Sequence, residues 1–250
     1  MTRLLLRRQV PNRLRAPGNA APFAMNRAGF VKLIIANKNY SSWSLRPWLV
    51  VTHFAIPFEE QQVLLNGEGW QQKIRAVSPT GRVPLLIDGD LAIPESIAII
   101  EYLAESFPDK AIWPRDRRQR ALARAAAAEM HAGFYGLRNS APMNLRSSYP
   151  GRVALDDVAD DLKRIEELWG GLLETSGGPY LFGDFTAADA MYAPLATRLR
   201  TYELPVSDTV ARYVEVIYAL PAFQAWFAAG VAEPWTVPQD EIDVIQGRTA

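Results

Sequence analysis

The chain has no cysteine and only two histidines, His53 and His131. Disulfides, thiolate metal sites and any nucleophile drawn from the protein's own thiols are therefore excluded. A multi-histidine metal centre or a histidine-based triad is hard to assemble from two imidazoles, and no metal site is expected. No apolar run approaches the ~18 residues of a membrane-crossing helix, so no membrane partner is expected either. What is present is ordinary for a globular protein. Hydrophobic residues make up 49% and charged residues 22% of 250 residues, enough for one large domain or two of average size.

The formal charge of zero conceals an asymmetry. Six of the 27 basic residues and none of the 27 acids lie in residues 1–29, which leaves the remainder at −6. An acidic body argues against nucleic acid as the main partner, because phosphate binding requires a basic surface. The first 29 residues also carry Pro11, Pro17 and Pro22 and show no sustained periodicity. Leu4-Leu5-Leu6 is too short for the apolar core of a secretory signal. Residues 1–29 are expected to form a disordered basic extension.

The folding signal begins at Val31. Val31 to Ala36 is a short apolar run of buried-strand type. Asn37 to Ser44 is a polar turn, and Leu45, Trp48, Leu49 and Thr52 recur at helical spacing, which predicts a helix over 44–55. Phe58 to Leu65 reads as a second strand. This strand-helix-strand order within ~35 residues predicts a parallel βαβ unit. A weak helix is expected near Trp70–Val77. Asp88-Gly89-Asp90 between Val83–Ile87 and Leu91–Ile93 is a hairpin signal, and Ser96–Phe107 has one apolar helical face. After Pro108 only helices are expected. They are a long Ala-rich one over Arg117–Arg138, a stripe of Val158, Leu162, Ile165, Trp169 and Leu172, Thr186–Tyr202, Thr209–Leu220 and a short one after Pro221.

Three places could bind a ligand. At Asn39-Tyr40-Ser41-Ser42-Trp43-Ser44, helix N–H groups and the dipole favour an anion, and a serine hydroxyl can donate to it. Simple N-capping is the competing reading, because serine is a preferred cap. Val83-Pro84, after the turn Pro79-Thr80-Gly81, is a candidate cis peptide. In that form the Val83 N–H and C=O would face outward and pair with an extended peptide. Pro94-Glu95-Ser96 sits at a helix start, where Ser96 and open N–H groups suit a carboxylate and Glu95 suits an ammonium. Together the three fit a short anionic peptide with one ionisable group at the serine turn.

The segments Ser41-Ser42-Trp43-Ser44-Leu45-Arg46, Gly81-Arg82-Val83-Pro84, Glu95-Ser96-Ile97-Ala98-Ile99 and Leu181 to Asp189 resemble those of the cytosolic-type glutathione S-transferases over residues 31–235. The last segment holds a capping box, Thr186 with Asp189, that starts a core helix. The resemblance implies a thioredoxin-like domain over 30–110, an all-helical domain over 111–237 and a C-terminal tail over 238–250. It implies glutathione as cosubstrate and a homodimer in the cytoplasm.

Carried over by position, Ser41 would hydrogen-bond the glutathione sulfur, with Ser42 as the fallback. Val83 would pair with the cysteinyl backbone, Glu95 and Ser96 would hold the γ-glutamyl end, and Arg82 would reach a carboxylate. A small electrophile would meet Met143, Asn144 and Tyr149, with Tyr135 a further candidate. His131 is expected to be packed or at the surface, and His53 structural. The serine turn also resembles the zeta class, whose members isomerise maleylacetoacetate, although Trp43 stands where that class often has cysteine. A third reading is a non-enzymatic scaffold of the same fold that binds a protein partner. The intact set of Val83, Glu95 and Ser96 favours the enzyme.

Overall fold

A computed structural model describes residues 30–247. The expectation for residues 1–29 lies outside the described residues, as do positions 248–250 of the expected tail. Strand β1 (Val31–Ile35), helix α1 (Ser42–His53) and strand β2 (Phe58–Gln62) form the βαβ unit, with β1 and β2 parallel. Helix α2 (Trp70–Val77) follows, then the hairpin β3 (Leu85–Asp88) and β4 (Leu91–Pro94), and helix α3 (Ser96–Ser106). The sheet order is β2-β1-β3-β4, with β3 antiparallel to both β1 and β4. Gly89 turns the hairpin at φ 60°, a left-handed value that a residue without Cβ adopts at little cost.

Alternation along the strands separates the two faces of this sheet. Leu33, Ile35 and Leu86 join the main core with α1 and α3, whereas Ile34 and Leu85 pack on Val63 and Ile74 under α2. This is the thioredoxin-like half. The helical half contains α4 (Arg117–Ala132), α5 (Tyr135–Ser140), α6 (Ala159–Ser176), α7 (Ala187–Thr201), α8 (Asp208–Ala219) and α9 (Pro221–Val231).

Helix α7 is the pivot. Every one of its residues except Arg200 is buried, and its small alanines allow close approach to α1 and α4. Its start is fixed as the sequence predicts. Thr186 Oγ1 accepts from the Ala188 N–H, and Asp189 accepts from the Thr186 N–H at 2.9 Å. Asp189 also accepts from the Leu181 N–H and the Tyr213 hydroxyl, so one buried carboxylate ties three segments together.

One expectation is corrected. The helix over Arg117–Arg138 is not continuous: it ends at Ala132, and α5 begins at Tyr135. At the break, Gly133 sits where a Cβ would lie 2.9 Å from the Glu129 carbonyl, and Phe134 adopts φ 56°. Arg138 then reaches back to donate to the Gly133 carbonyl at 3.1 Å. The C-terminal tail from 238 carries local structure among the described residues. It forms a 3-10 turn (Pro238–Asp240) and helix α10 (Ile242–Ile245), with Ile242 fully buried.

Candidate functional site

Ser41 is the N-cap of α1. Its Oγ donates to Ser44 Oγ at 2.8 Å and accepts from the Ser44 N–H at 3.4 Å. Ser44 Oγ in turn accepts from the Ala36 N–H at 3.1 Å, which ties the turn to the end of β1. The capping expected of serine and its place beside a cavity therefore coexist in one side chain. Ser41 and Ser42 both border a cavity of about 530 Å³, whose apolar side includes Trp70, Met143 and Ile245.

A second cavity of about 310 Å³ adjoins the first, lined by Val83, Pro84, Glu95, Ser96, His131 and Tyr135. Trp43, Arg82, Val83 and Arg138 line both, so the two are compartments of one cleft. The Val83-Pro84 peptide is cis. Glu95 has φ 73°, a left-handed conformation that a residue with a side chain rarely adopts and that concentrates at functional sites. Ser96 is 1% exposed, and its Oγ has no hydrogen-bond partner although it faces this compartment. Buried hydroxyls are nearly always hydrogen-bonded, so this one is an exception at the wall of the cleft.

Trp43 is the partition between the compartments. The Arg46 guanidinium stacks on it at 4.0 Å and that of Arg138 at 4.8 Å, and the His131 ring meets it edge-on at 5.2 Å. Arg198 lines the larger compartment from α7. Burial holds the Arg198 guanidinium down at about 10 and the Arg46 guanidinium well below its ordinary value. Arg138 and Arg198 form a positive floor to the larger compartment, and Arg46 is buried behind Trp43. The acid bordering the same compartment is Asp240, whose carboxyl is pushed up by its own burial.

The structure gathers Ser41, Ser42, Arg82, Val83, Glu95, Ser96 and Met143 along this cleft. It does not bring Asn144 or Tyr149 there, which corrects the electrophile-pocket expectation. Asn144 is fully buried. It accepts from Asn39 Nδ2 at 3.0 Å and donates to both oxygens of Glu241 at 3.3 Å. The Tyr149 hydroxyl donates to Glu241 Oε2 at 3.0 Å, and its ring packs on Tyr202. Both side chains anchor the C-terminal segment, and that segment delivers Asp240 and Ile245 to the cleft.

His131, Arg138, Arg198 and Asp240 were not among the site residues read from sequence. His131 and Arg138 lie seven apart, two helical turns, which was the available signal. The break at Gly133 made the intended face unreadable. A larger, open groove of about 730 Å³ between α6 and α8 contains none of the sequence-derived site residues.

The model of the glutathione S-transferase N-terminal domain matches residues 40–106, and that of the C-terminal domain matches residues 121–229. The probable maleylacetoacetate isomerase of Caenorhabditis elegans is 32% identical over 74% of this chain and 86% of its own length. Glutathione S-transferase Z1 of Arabidopsis thaliana is 37% identical over 64% of this chain and 75% of its own. A glutathione transferase homologue from Burkholderia, solved with bound glutathione, superposes with a TM-score of 0.62 at 29% identity, covering 82% of this chain and all of the other. The chain belongs to the glutathione S-transferase family.

Proposed function

We propose that the protein is a glutathione transferase that binds the tripeptide along the two-compartment cleft and presents its thiolate to a small electrophile. The carrying observation is the continuity of the cleft from Ser41 past Val83 to Glu95 and Ser96. In this reading the γ-glutamyl carboxylate meets the unpartnered Ser96 Oγ and the first-turn N–H groups of α3, and Glu95 holds the α-ammonium. The Val83 backbone pairs with the cysteinyl unit, and Arg82 meets a carboxylate. Residues 30–110 supply most of the glutathione contacts, and the loop after α5 within 111–237 supplies the electrophile wall through Met143.

The chemistry asked of the protein is modest. A free thiol has a pKa of ~8.5, so little of it is ionised at pH 7. A hydrogen bond from the Ser41 hydroxyl, turned from Ser44 toward the sulfur, together with the α1 N-terminus favours the anion. Lowering the thiol by one to two units corresponds to about 1.4–2.8 kcal/mol. The thiolate then forms the carbon–sulfur bond while the leaving group departs with the bonding pair. Serine is a donor in this scheme and never a nucleophile.

A second reading, isomerisation of the maleylacetoacetate type, draws on the positive floor of Arg138 and Arg198, which suits an acidic substrate. It is also supported by the names of the C. elegans relative and of the maleylacetoacetate isomerase of Rattus norvegicus, 28% identical over 73% of this chain. There the thiolate adds to a double bond, the adduct rotates, and elimination returns glutathione. A homodimer in the cytoplasm is the assembly and location the family resemblance supports, and light scattering tests the dimer. The deciding experiment measures the thermal midpoint with glutathione and then assays a panel of electrophiles, including a dienoic keto acid, for product and for glutathione consumed. A raised midpoint with net consumption is expected. Product without consumption would select the isomerase, and no midpoint shift at millimolar glutathione would leave the scaffold.

A further inference from the structure

The smaller compartment sets one acid against one imidazole. His131 Nε2 lies 3.9 Å from Glu95 Oε2. His131 belongs to the last turn of α4, and the Arg138 guanidinium of α5 donates to its carbonyl at 3.4 Å, which fixes the helix end that carries the ring. The groups facing the imidazole come from four directions. From the β4–α3 junction comes Glu95, and from α1 come Trp43 and Arg46. Arg138 and Tyr135 come from α5, and Arg82 borders the same compartment. His131 Nδ1 is buried without a hydrogen-bond partner. Burial lowers the imidazole from its ordinary value, and Arg46 and Arg138 add to this while Glu95 opposes it. The ring is therefore held toward its neutral form, and its proton is harder to place than on a free imidazole.

Glu95 is the carboxylate of this compartment, and a ligand ammonium hydrogen-bonded to it would lie within about 7 Å of the imidazole nitrogen. Two cations at that spacing repel one another and share a single counter-charge. We propose that His131 is a competing occupant of the glutamyl subsite: neutral, it leaves the Glu95 carboxylate to the ligand's α-ammonium, and protonated, it takes that carboxylate and expels the ammonium. The inference rests on the glutathione reading above. It makes glutathione affinity fall as pH drops through the imidazole's titration, by up to tenfold per pH unit once the ring is mostly charged. The effect belongs to KM for glutathione and not to kcat, because the thiol end lies in the other compartment beside Ser41.

The test is calorimetric titration between pH 5 and pH 7, where the ligand's amino group stays protonated and its carboxylates stay ionised. Glutathione is titrated into the wild-type chain and into His131→Gln. Its desamino analogue, glutaryl-cysteinyl-glycine, is titrated into the wild type. We expect wild-type affinity for glutathione to weaken from pH 7 to pH 5 at least about threefold more than in either comparison. The change for His131→Gln, and for the analogue with the unaltered protein, is expected to stay within about fourfold, the part that ionisation of the bound thiol supplies. An equal acid loss in His131→Gln or with the analogue would overturn the proposal, as would flat wild-type affinity. Absence of binding by either ligand at pH 7 would overturn the glutathione reading itself and this proposal with it. The analogue arm needs no altered protein, so it decides even if His131→Gln does not fold.

Discussion

The Arg46 guanidinium lies 4.0 Å from the centroid of the Trp43 ring and is 1% exposed, with its Nε donating to the Met191 carbonyl at 3.0 Å. Among the described residues no carboxylate lies within ion-pair distance of it, and its second cationic neighbours are Arg198 and Arg138. A buried charge without a counter-ion costs stability, and an aromatic face returns part of that cost. It also places a fixed positive charge beneath the turn that carries Ser41, where an anion is expected.

Arg46→Met should therefore separate stability from chemistry. Removal of an uncompensated charge offsets the lost Nε bond, so urea unfolding should change by less than about 1 kcal/mol in either direction. The bound glutathione thiol should become harder to ionise, by about half a unit to one unit, read from ultraviolet absorbance of the thiolate against pH. An unchanged thiol pKa would show that the charge does not reach the sulfur.

Ser41→Ala removes both a helix cap and the proposed donor to sulfur. The cap alone contributes about 1 kcal/mol to stability. The bound thiol should titrate about one unit higher, with kcat/KM at neutral pH down about tenfold. Ser42→Ala, one position into α1, should shift stability by less than about 0.5 kcal/mol. If Ser42→Ala produced the larger rise in thiol pKa, the donor role would move to Ser42.

Asp189 supplies a pH dependence with a defined sign. Burial raises its carboxyl from 3.8 to about 6, against the donors that hold it. Between those values the folded chain keeps a proton that the unfolded chain releases, so this group's contribution is fully present below about 3.8 and is lost as pH rises through about 6. The loss is on the order of 3 kcal/mol. Asp189→Asn should remove that slope while lowering stability at every pH, because one acceptor oxygen is lost. Urea midpoints at pH 4, 5, 6 and 7 for both chains check it, and parallel curves would refute the assignment.

Glu241 accepts from Tyr40, Asn144 and Tyr149, and it holds the segment that brings Asp240 and Ile245 to the larger compartment. Glu241→Ala should expose the chain beyond residue 237 to limited proteolysis. It should also raise KM for the electrophile severalfold and leave KM for glutathione within about twofold, since the glutamyl subsite lies in the other compartment. An equal rise in both would show that the segment supports the whole cleft.

The local structure that was legible in the sequence shares a feature: each signal is carried by residues within a few positions. Ser41 caps a helix that starts at its neighbour, Gly89 turns a hairpin within four residues, and Thr186 and Asp189 complete a box three apart. Asn144 and Tyr149 were misread because position after a helix does not say which way a side chain faces. Their partner Glu241 is 97 and 92 residues away. The break after Ala132 was hidden by strong local helix propensity, which the Phe134 backbone and the Arg138 strap override.

The sequence alone determined the order of strands and helices, the caps and the turn chemistry, because periodicity and hydrogen-bonding needs act over one or two turns of chain. Only the tertiary structure decided that two arginines stack on Trp43, that His131 faces Glu95 and that residues 238–247 fold back onto the cleft. Those meetings join segments far apart in the chain, and it is close packing, not local preference, that selects which distant side chains share a wall.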